Sequence, residues 1–134
     1  MAMTTATDFD REKLVRQATE AREAAYAPYS GYKVGAALLG KSGRVYTGVN
    51  VENAAYSPTI CAERTAVAKA VSEGEQEFAA LAVVTKDGAT PCGVCRQVLR
   101  EFAEDLPILI ASTDGATRET TLAALLPDSF AGPV

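Results

Sequence analysis

Cys61-Ala62-Glu63 and the later Pro91-Cys92-Gly93-Val94-Cys95 constrain this chain more than any other stretch. The three cysteines are the only ones in the protein, and histidine is absent. Cys92 and Cys95, at i and i+3 in the first turn of a helix, share one helix face. Cys61 falls in the first turn of the preceding helix. Helix N-termini carry partial positive charge, which favours thiolate over thiol and prepares metal ligands. The fold must therefore bring two helix starts together above neighbouring strands of a sheet. Soft thiolates select zinc among common cytosolic metals.

The ligand count decides what such a site is for. A structural zinc is closed by four protein ligands, whereas a catalytic one has three plus water. No fourth cysteine or histidine exists here, so one position stays open, and Glu63 is close enough in sequence to face it. A carboxylate at that point can take a proton from an activated water and deliver it elsewhere. Three plainer readings compete: a Pro-Cys-x-x-Cys dithiol redox motif, a structural zinc completed by a carboxylate or a partner chain, and three unrelated buried cysteines. The first leaves Cys61 and Glu63 unexplained.

A chain of 134 residues is one domain on length, able to bury roughly 70% of its unfolded surface without disulfides. Apolar residues make up 48%, and no apolar run approaches the roughly 20 residues of a membrane span. Met1 to Asp10 lacks the basic and apolar regions of a signal peptide, so a cytoplasmic location is expected, where three cysteines read as metal-binding or catalytic. Net charge is -4, with no basic stripe to neutralise phosphates, which disfavours a nucleic acid polymer and leaves small polar molecules as substrates.

Met1 to Thr7 is small and polar and reads as a frayed start, with order expected after residue 8. A helix is expected from Asp10, its cap, to Tyr26, with Phe9 and Leu14 as a hydrophobic staple and Leu14, Ala18, Ala21 and Ala25 on one face. Lys33 to Leu39 and Arg44 to Val49 read as a hairpin around Gly40-Lys41-Ser42-Gly43. Ile60 to Glu73 is a helix with Gly74 at C′. Phe78 to Thr85 is a buried strand. Thr90 as cap and Pro91 at N1 open a helix to Ala103, with Val94, Val98, Leu99 and Phe102 inward. Strands at Pro107 to Ala111 and Arg118 to Thr120 and a short helix from Thr121 to Leu126 follow. The alternation argues a layered α/β domain with a mixed sheet.

At these residues the sequence resembles the zinc-dependent cytidine deaminases, in their small homotetrameric nucleoside branch. The signature is Cys61-Ala62-Glu63-Arg64 with Pro91-Cys92-Gly93-Val94-Cys95-Arg96-Gln97, an all-cysteine form of the deaminase pattern. Likeness extends through Tyr26-Ala27-Pro28-Tyr29-Ser30, Val34-Gly35-Ala36-Ala37-Leu38, Asn50-Val51-Glu52-Asn53-Ala54-Ala55-Tyr56 and Leu125-Leu126-Pro127. The resemblance implies a three-layer α/β/α fold with a mixed five-stranded sheet. It also implies hydrolysis of cytidine and 2′-deoxycytidine to the uridines and ammonia, in pyrimidine salvage. A deaminase of an antibiotic cytosine nucleoside such as blasticidin S is the sibling alternative.

The resemblance further implies one zinc per subunit on Cys61, Cys92 and Cys95, activating water against C4 of the ring, with Glu63 shuttling the proton. Asn50 and Glu52 match its ribose-binding pair, and at i and i+2 leaving a strand both side chains can point one way. Tyr32 stands where the family usually has Phe, and is expected to wall the pocket. By the same resemblance, the Ala62 N–H is expected to reach the base carbonyl, and the Thr90 carbonyl the leaving amine. Phe130 stacks on the base from a neighbouring subunit of a homotetramer with shared active sites, and Ala54 and Tyr56 match inter-subunit positions near the sugar. Four residues follow Phe130, where relatives often continue, which implies a smaller share for the tail in tetramer contacts. Zn²⁺ with three thiolates carries net charge -1, so Arg64 and Arg96 are expected to donate to ligand sulfurs and offset it.

Overall fold

The computed structural model describes residues 8–133, so the expected fraying of Met1 to Thr7 lies outside the described residues. The element order is α1 (Arg11–Arg22), β1 (Gly35–Gly40), β2 (Val45–Val49), α2 (Ala62–Ser72), β3 (Phe78–Thr85), α3 (Gly93–Arg100), β4 (Pro107–Ser112), β5 (Thr117–Thr121) and α4 (Leu122–Leu125). The five strands form one sheet in the order β2-β1-β3-β4-β5. Only the β3–β4 pair is parallel, so the sheet is mixed as expected.

The two faces of the sheet bury different residues, which makes three layers. On one face α1 sets Leu14 and Ala18 against the small residues Ala37, Ala80, Ala82 and Ala111, and against Val84 and Leu109. On the other, α2 and α3 bring Ala62, Ala66, Val67 and Leu99 onto Leu38, Leu81, Val83, Ile108 and Ile110. The α1 start is capped by Asp10, which accepts from the Lys13 N–H at 3.0 Å, and Phe9 packs beside Leu14 on one cluster.

Several boundaries depart from the sequence expectation for one reason: backbone groups at the element ends are taken by partners distant in sequence. Helix α1 stops at Arg22 rather than Tyr26, because Tyr26 gives its N–H to Asn50 O and takes the Glu52 N–H, joining the strand edge at Val51. Strand β1 starts at Gly35, since the Asn50 side chain occupies the Val34 N–H and the Tyr32 carbonyl. Helix α3 is capped by Cys92 rather than Thr90 and ends at Arg100. Its core stripe is Cys95 and Leu99, which leaves Val94 outward at 57% exposure, contrary to the expected inner face.

Candidate active site

The sheet register sets the position of the site. Gly35 of β1 pairs with Val49 of β2 on one side and Val84 of β3 on the other. The exit of β2, the entry to β1 and the exit of β3 therefore meet at one edge of the sheet. Asn50 and Glu52 follow β2, Tyr32 and Val34 precede β1, and Thr85 ends β3. Helix α2 starts above this edge because Gly48 lets it approach: a Cβ there would lie 2.4 Å from Ala62 O and 2.5 Å from Ala66 N.

Cys61 and Cys92 are the N-cap residues of α2 and α3, and Cys95 lies in the first turn of α3. The three sulfurs lie within 4.8 Å of one another, with Cys61 Sγ 3.7 Å from Cys92 Sγ and Cys92 Sγ 3.5 Å from Cys95 Sγ. Tetrahedral zinc–thiolate bonds of about 2.3 Å set sulfurs about 3.8 Å apart, so the cluster fits zinc with one corner left over. All three thiols are unpaired by disulfides. Hydrogen bonding from Cys95, with Arg64 and Cys92, lowers Cys61 to about 5. Cys95 is raised, by its hydrogen bond to Cys61 and then by burial. Thiols must give up their protons to hold a cation, so metal binding at this cluster would release protons.

Glu63 belongs to the first turn of α2 and is 4% exposed. Burial raises its carboxyl to about 7, with the neighbouring Cys61 charge adding to the shift. A cavity of about 330 Å³ opens over these groups, lined by Tyr32, Asn50, Glu52, Ala62, Thr90 and others alongside Cys61, Glu63 and Cys92. A larger cavity, about 610 Å³ between α1 and β5, is remote from this cluster. The chemistry selects the smaller one.

The polar wall is preorganised. Asn50, 7% exposed, accepts from the Val34 N–H at 2.9 Å and donates Nδ2 to Tyr32 O at 2.8 Å. Glu52 accepts from the Tyr29 and Ser30 N–H groups at 2.9 and 3.1 Å and from the Ser30 hydroxyl, which holds it below the usual carboxylate range. Ser30 enters the sequence reading only within the Tyr26–Ser30 likeness, Thr85 only as a strand end and Asp87 not at all, because the partners that give Ser30 and Asp87 a role at the site arrive from distant segments.

The two arginines separate. Arg64 Nη2 donates to Cys61 Sγ at 3.6 Å and to Thr59 O at 3.3 Å. Arg96 departs from the expectation of a sulfur contact: it donates to Pro91 O at 2.7 Å, Leu125 O at 2.7 Å and Thr90 Oγ1 at 3.1 Å. It braces the loop before α3 against α4 instead of touching a ligand. Arg64→Gln is therefore expected to weaken zinc retention by about 10- to 100-fold, measured by competition with a chromophoric chelator. Unchanged retention and turnover would end that role for Arg64.

Ala54, Tyr56 and Phe130 do not line this cavity. Tyr56 is 81% and Phe130 68% exposed, and Gln97 Nε2 donates to Phe130 O at 3.1 Å. Tyr56 also holds a left-handed backbone at φ 62, a conformation unusual for an aromatic residue.

The chain matches known proteins along most of its length. Residues 9–110 match the family model for the cytidine and deoxycytidylate deaminase zinc-binding region. The cytidine deaminase of Sporosarcina psychrophila is 52% identical over 124 residues, spanning 90% of this chain and 91% of that one. That of Mycobacterium tuberculosis is 46% identical over 125 residues, spanning 92% and 91%. Among solved structures, the cytidine deaminase from Burkholderia pseudomallei superposes with a TM-score of 0.88 at 46% identity, covering 91% of this chain and 100% of its own. With three thiols spaced for zinc, a buried carboxylate beside them and relatives matched along almost their whole length, the chain belongs to the cytidine and deoxycytidylate deaminase family.

Proposed function

We propose that the protein hydrolyses cytidine and 2′-deoxycytidine to uridine and 2′-deoxyuridine plus ammonia, as a single-domain enzyme of pyrimidine salvage. The observation that carries this reading is the buried Glu63 carboxyl set beside three ligand thiols at one cavity. The relatives' name, cytidine deaminase, favours cytidine over an antibiotic nucleoside such as blasticidin S.

Cys61, Cys92 and Cys95 would hold the zinc, which when bound would supply Lewis acidity that lowers the pKa of water toward neutrality. Glu63 would accept one proton of the attacking water and pass it to N3 as the water oxygen bonds to C4; it would then take the remaining proton of the new C4 hydroxyl and deliver it to the amino nitrogen, so that the C4–N bond breaks, ammonia leaves and the C4 carbonyl forms. A carboxyl tuned by burial to about 7 suits both directions of transfer. The Ala62 N–H, at a helix start where amides lack intrahelical partners, is offered to the base carbonyl, and the Thr90 carbonyl to the leaving amine. Tyr32 walls the base. Asn50 and Glu52 hold the ribose: each has part of its hydrogen-bonding capacity used by the backbone, which fixes orientation, and part left for a hydroxyl.

Phe130, Ala54 and Tyr56 complete the site from neighbouring subunits of a homotetramer. Their exposure supports this, as does a second cavity of about 480 Å³ at Tyr29, Glu52, Asn53 and Tyr56 that adjoins the sugar side. Light scattering in solution is expected to give four times the 14.0 kDa chain mass, and a monomer would remove the shared site. Reduced ligand thiols require a reducing compartment, which supports the cytoplasm. Among the described residues no helix is long and apolar enough to cross a membrane.

The decisive test is metal analysis joined to an ultraviolet assay with cytidine, before and after chelation. One zinc per chain and turnover that disappears with the metal and returns with zinc are expected. Zinc-loaded protein without cytidine turnover would refute the assignment.

A further inference from the structure

Tyr32 joins the two halves of the cavity. Its backbone serves the sugar side: the Tyr32 N–H donates to Ser30 Oγ at 2.9 Å, and that hydroxyl donates in turn to Glu52. Its carbonyl accepts from Asn50 Nδ2 at 2.8 Å. Its phenol crosses to the other side and donates to Asp87 Oδ1, far away in sequence, in the loop between β3 and α3. The same Asp87 oxygen accepts from the Thr85 hydroxyl at 3.3 Å. Thr85, buried at 2% exposure, takes the Gly88 and Ala89 N–H groups on its Oγ1 at 2.8 and 2.9 Å, and so shapes the loop that carries Ala89, Thr90 and Cys92 into the cavity.

We propose that Tyr32 and Asp87 form a latch across the mouth of the nucleoside cavity, with Asp87 a positioning residue that sets the cavity width for substrate. The inference rests on the nucleoside reading above. A hydrogen-bonded path runs from the Glu52–Ser30 pair, through Tyr32, to Asp87, Thr85 and the loop before Cys92. With the latch closed, the ring of Tyr32 and the carbonyl-bearing loop opposite stand at a fixed separation before substrate arrives, so binding does not have to order them. Lys86 Nζ lies 5.8 Å from the Tyr32 ring centroid, holding the same ring from the loop side. A phenylalanine in place of Tyr32 would wall the cavity without closing this path. The hydrogen bonds of Tyr32 go to Ser30, Asn50 and Asp87, and those of the Asp87 carboxylate to Tyr32 and Thr85, so the latch acts on binding and leaves the proton transfers to Glu63.

The test uses the full-length, zinc-loaded protein and four variants: Asp87→Ala, Asp87→Asn, Tyr32→Phe and the Tyr32→Phe/Asp87→Ala pair. Asp87→Ala is expected to raise the KM for cytidine, and the Kd for uridine by calorimetry, about five- to tenfold, with kcat within about twofold, and Tyr32→Phe is expected to raise the same KM and Kd to a similar extent. The pair is expected to match either single variant, because one shared interaction is lost only once. Asp87→Asn keeps an acceptor oxygen and is expected to fall nearer the original protein. Unchanged KM and Kd in Asp87→Ala, or effects that multiply in the pair, overturn the latch. Uridine binding without cytidine turnover in the unsubstituted protein would count against the deaminase reading alone, while Kd in the same variants still reads the latch. If uridine does not bind, the latch falls with the nucleoside site.

Discussion

Glu63→Gln is expected to lower kcat by about 10²- to 10⁴-fold while the protein keeps its fold and its zinc. The side chains are nearly isosteric, so the burial of position 63 in α2 is preserved and the sulfur cluster is undisturbed. What disappears is the capacity to bind and release a proton. Burial holds the carboxyl at about 7, a cost accepted in the folded state and matched to proton transfer near neutrality. Replacing it by a neutral amide relieves that cost, so the melting temperature is expected to equal or exceed that of the original protein. Full activity in Glu63→Gln would remove the carboxyl from the mechanism. Loss of zinc in the same variant would mean that it acts as a ligand instead.

Gly48→Ala is expected to damage stability and turnover together. Strand propensity alone predicts the opposite, since Gly in a strand interior is destabilising by roughly 0.5–1 kcal/mol relative to Ala. Here the added methyl would sit 2.4 Å from Ala62 O and 2.5 Å from Ala66 N, both backbone atoms of α2. No side-chain rotation relieves that contact, so α2 must retreat from the sheet by about 1 Å to restore van der Waals separation. Overpacking of this kind costs about 3 kcal/mol, at the upper end of the usual range. The retreating helix carries Cys61, Ala62 and Glu63, and a misplacement of about 1 Å is worth about 100-fold in turnover. Thermal melts, zinc affinity and kcat/KM on one preparation measure all three effects. Gly43→Ala in the hairpin turn is the control. Its φ of +95 makes Ala strained there, but no atom lies within 4 Å of the added carbon, so stability falls slightly and kcat/KM holds. A Gly48→Ala protein with unaltered melting and turnover would show that the close approach of α2 does not matter.

The candidate site was legible to the extent that its chemistry is written locally. Cys61, Glu63, Cys92 and Cys95 sit at fixed short spacings near helix starts, and the ligand types name the metal without any knowledge of the fold. The buried strands Phe78–Thr85 and Pro107–Ser112 were equally legible, because continuous apolar runs have few other places to go. Arg64, one helical turn after Cys61, could be anticipated to reach its sulfur. Arg96, which directly follows Cys95, does not: its three donors are claimed by carbonyls and a hydroxyl from Pro91, Leu125 and Thr90.

By itself, the sequence determined the cluster of three cysteines as the candidate ligand set and the alternation of helices and strands, since each depends on residue type and short spacing. Only the tertiary structure decided where α1 and β1 break, that Val94 faces outward, that Gly48 is a helix seat, and that Tyr32 reaches Asp87. The physical reason is common to all four. Backbone and side-chain groups at element ends are satisfied by whichever partner the sheet register delivers. The register places Val49, Gly35 and Val84 side by side from three separate parts of the chain.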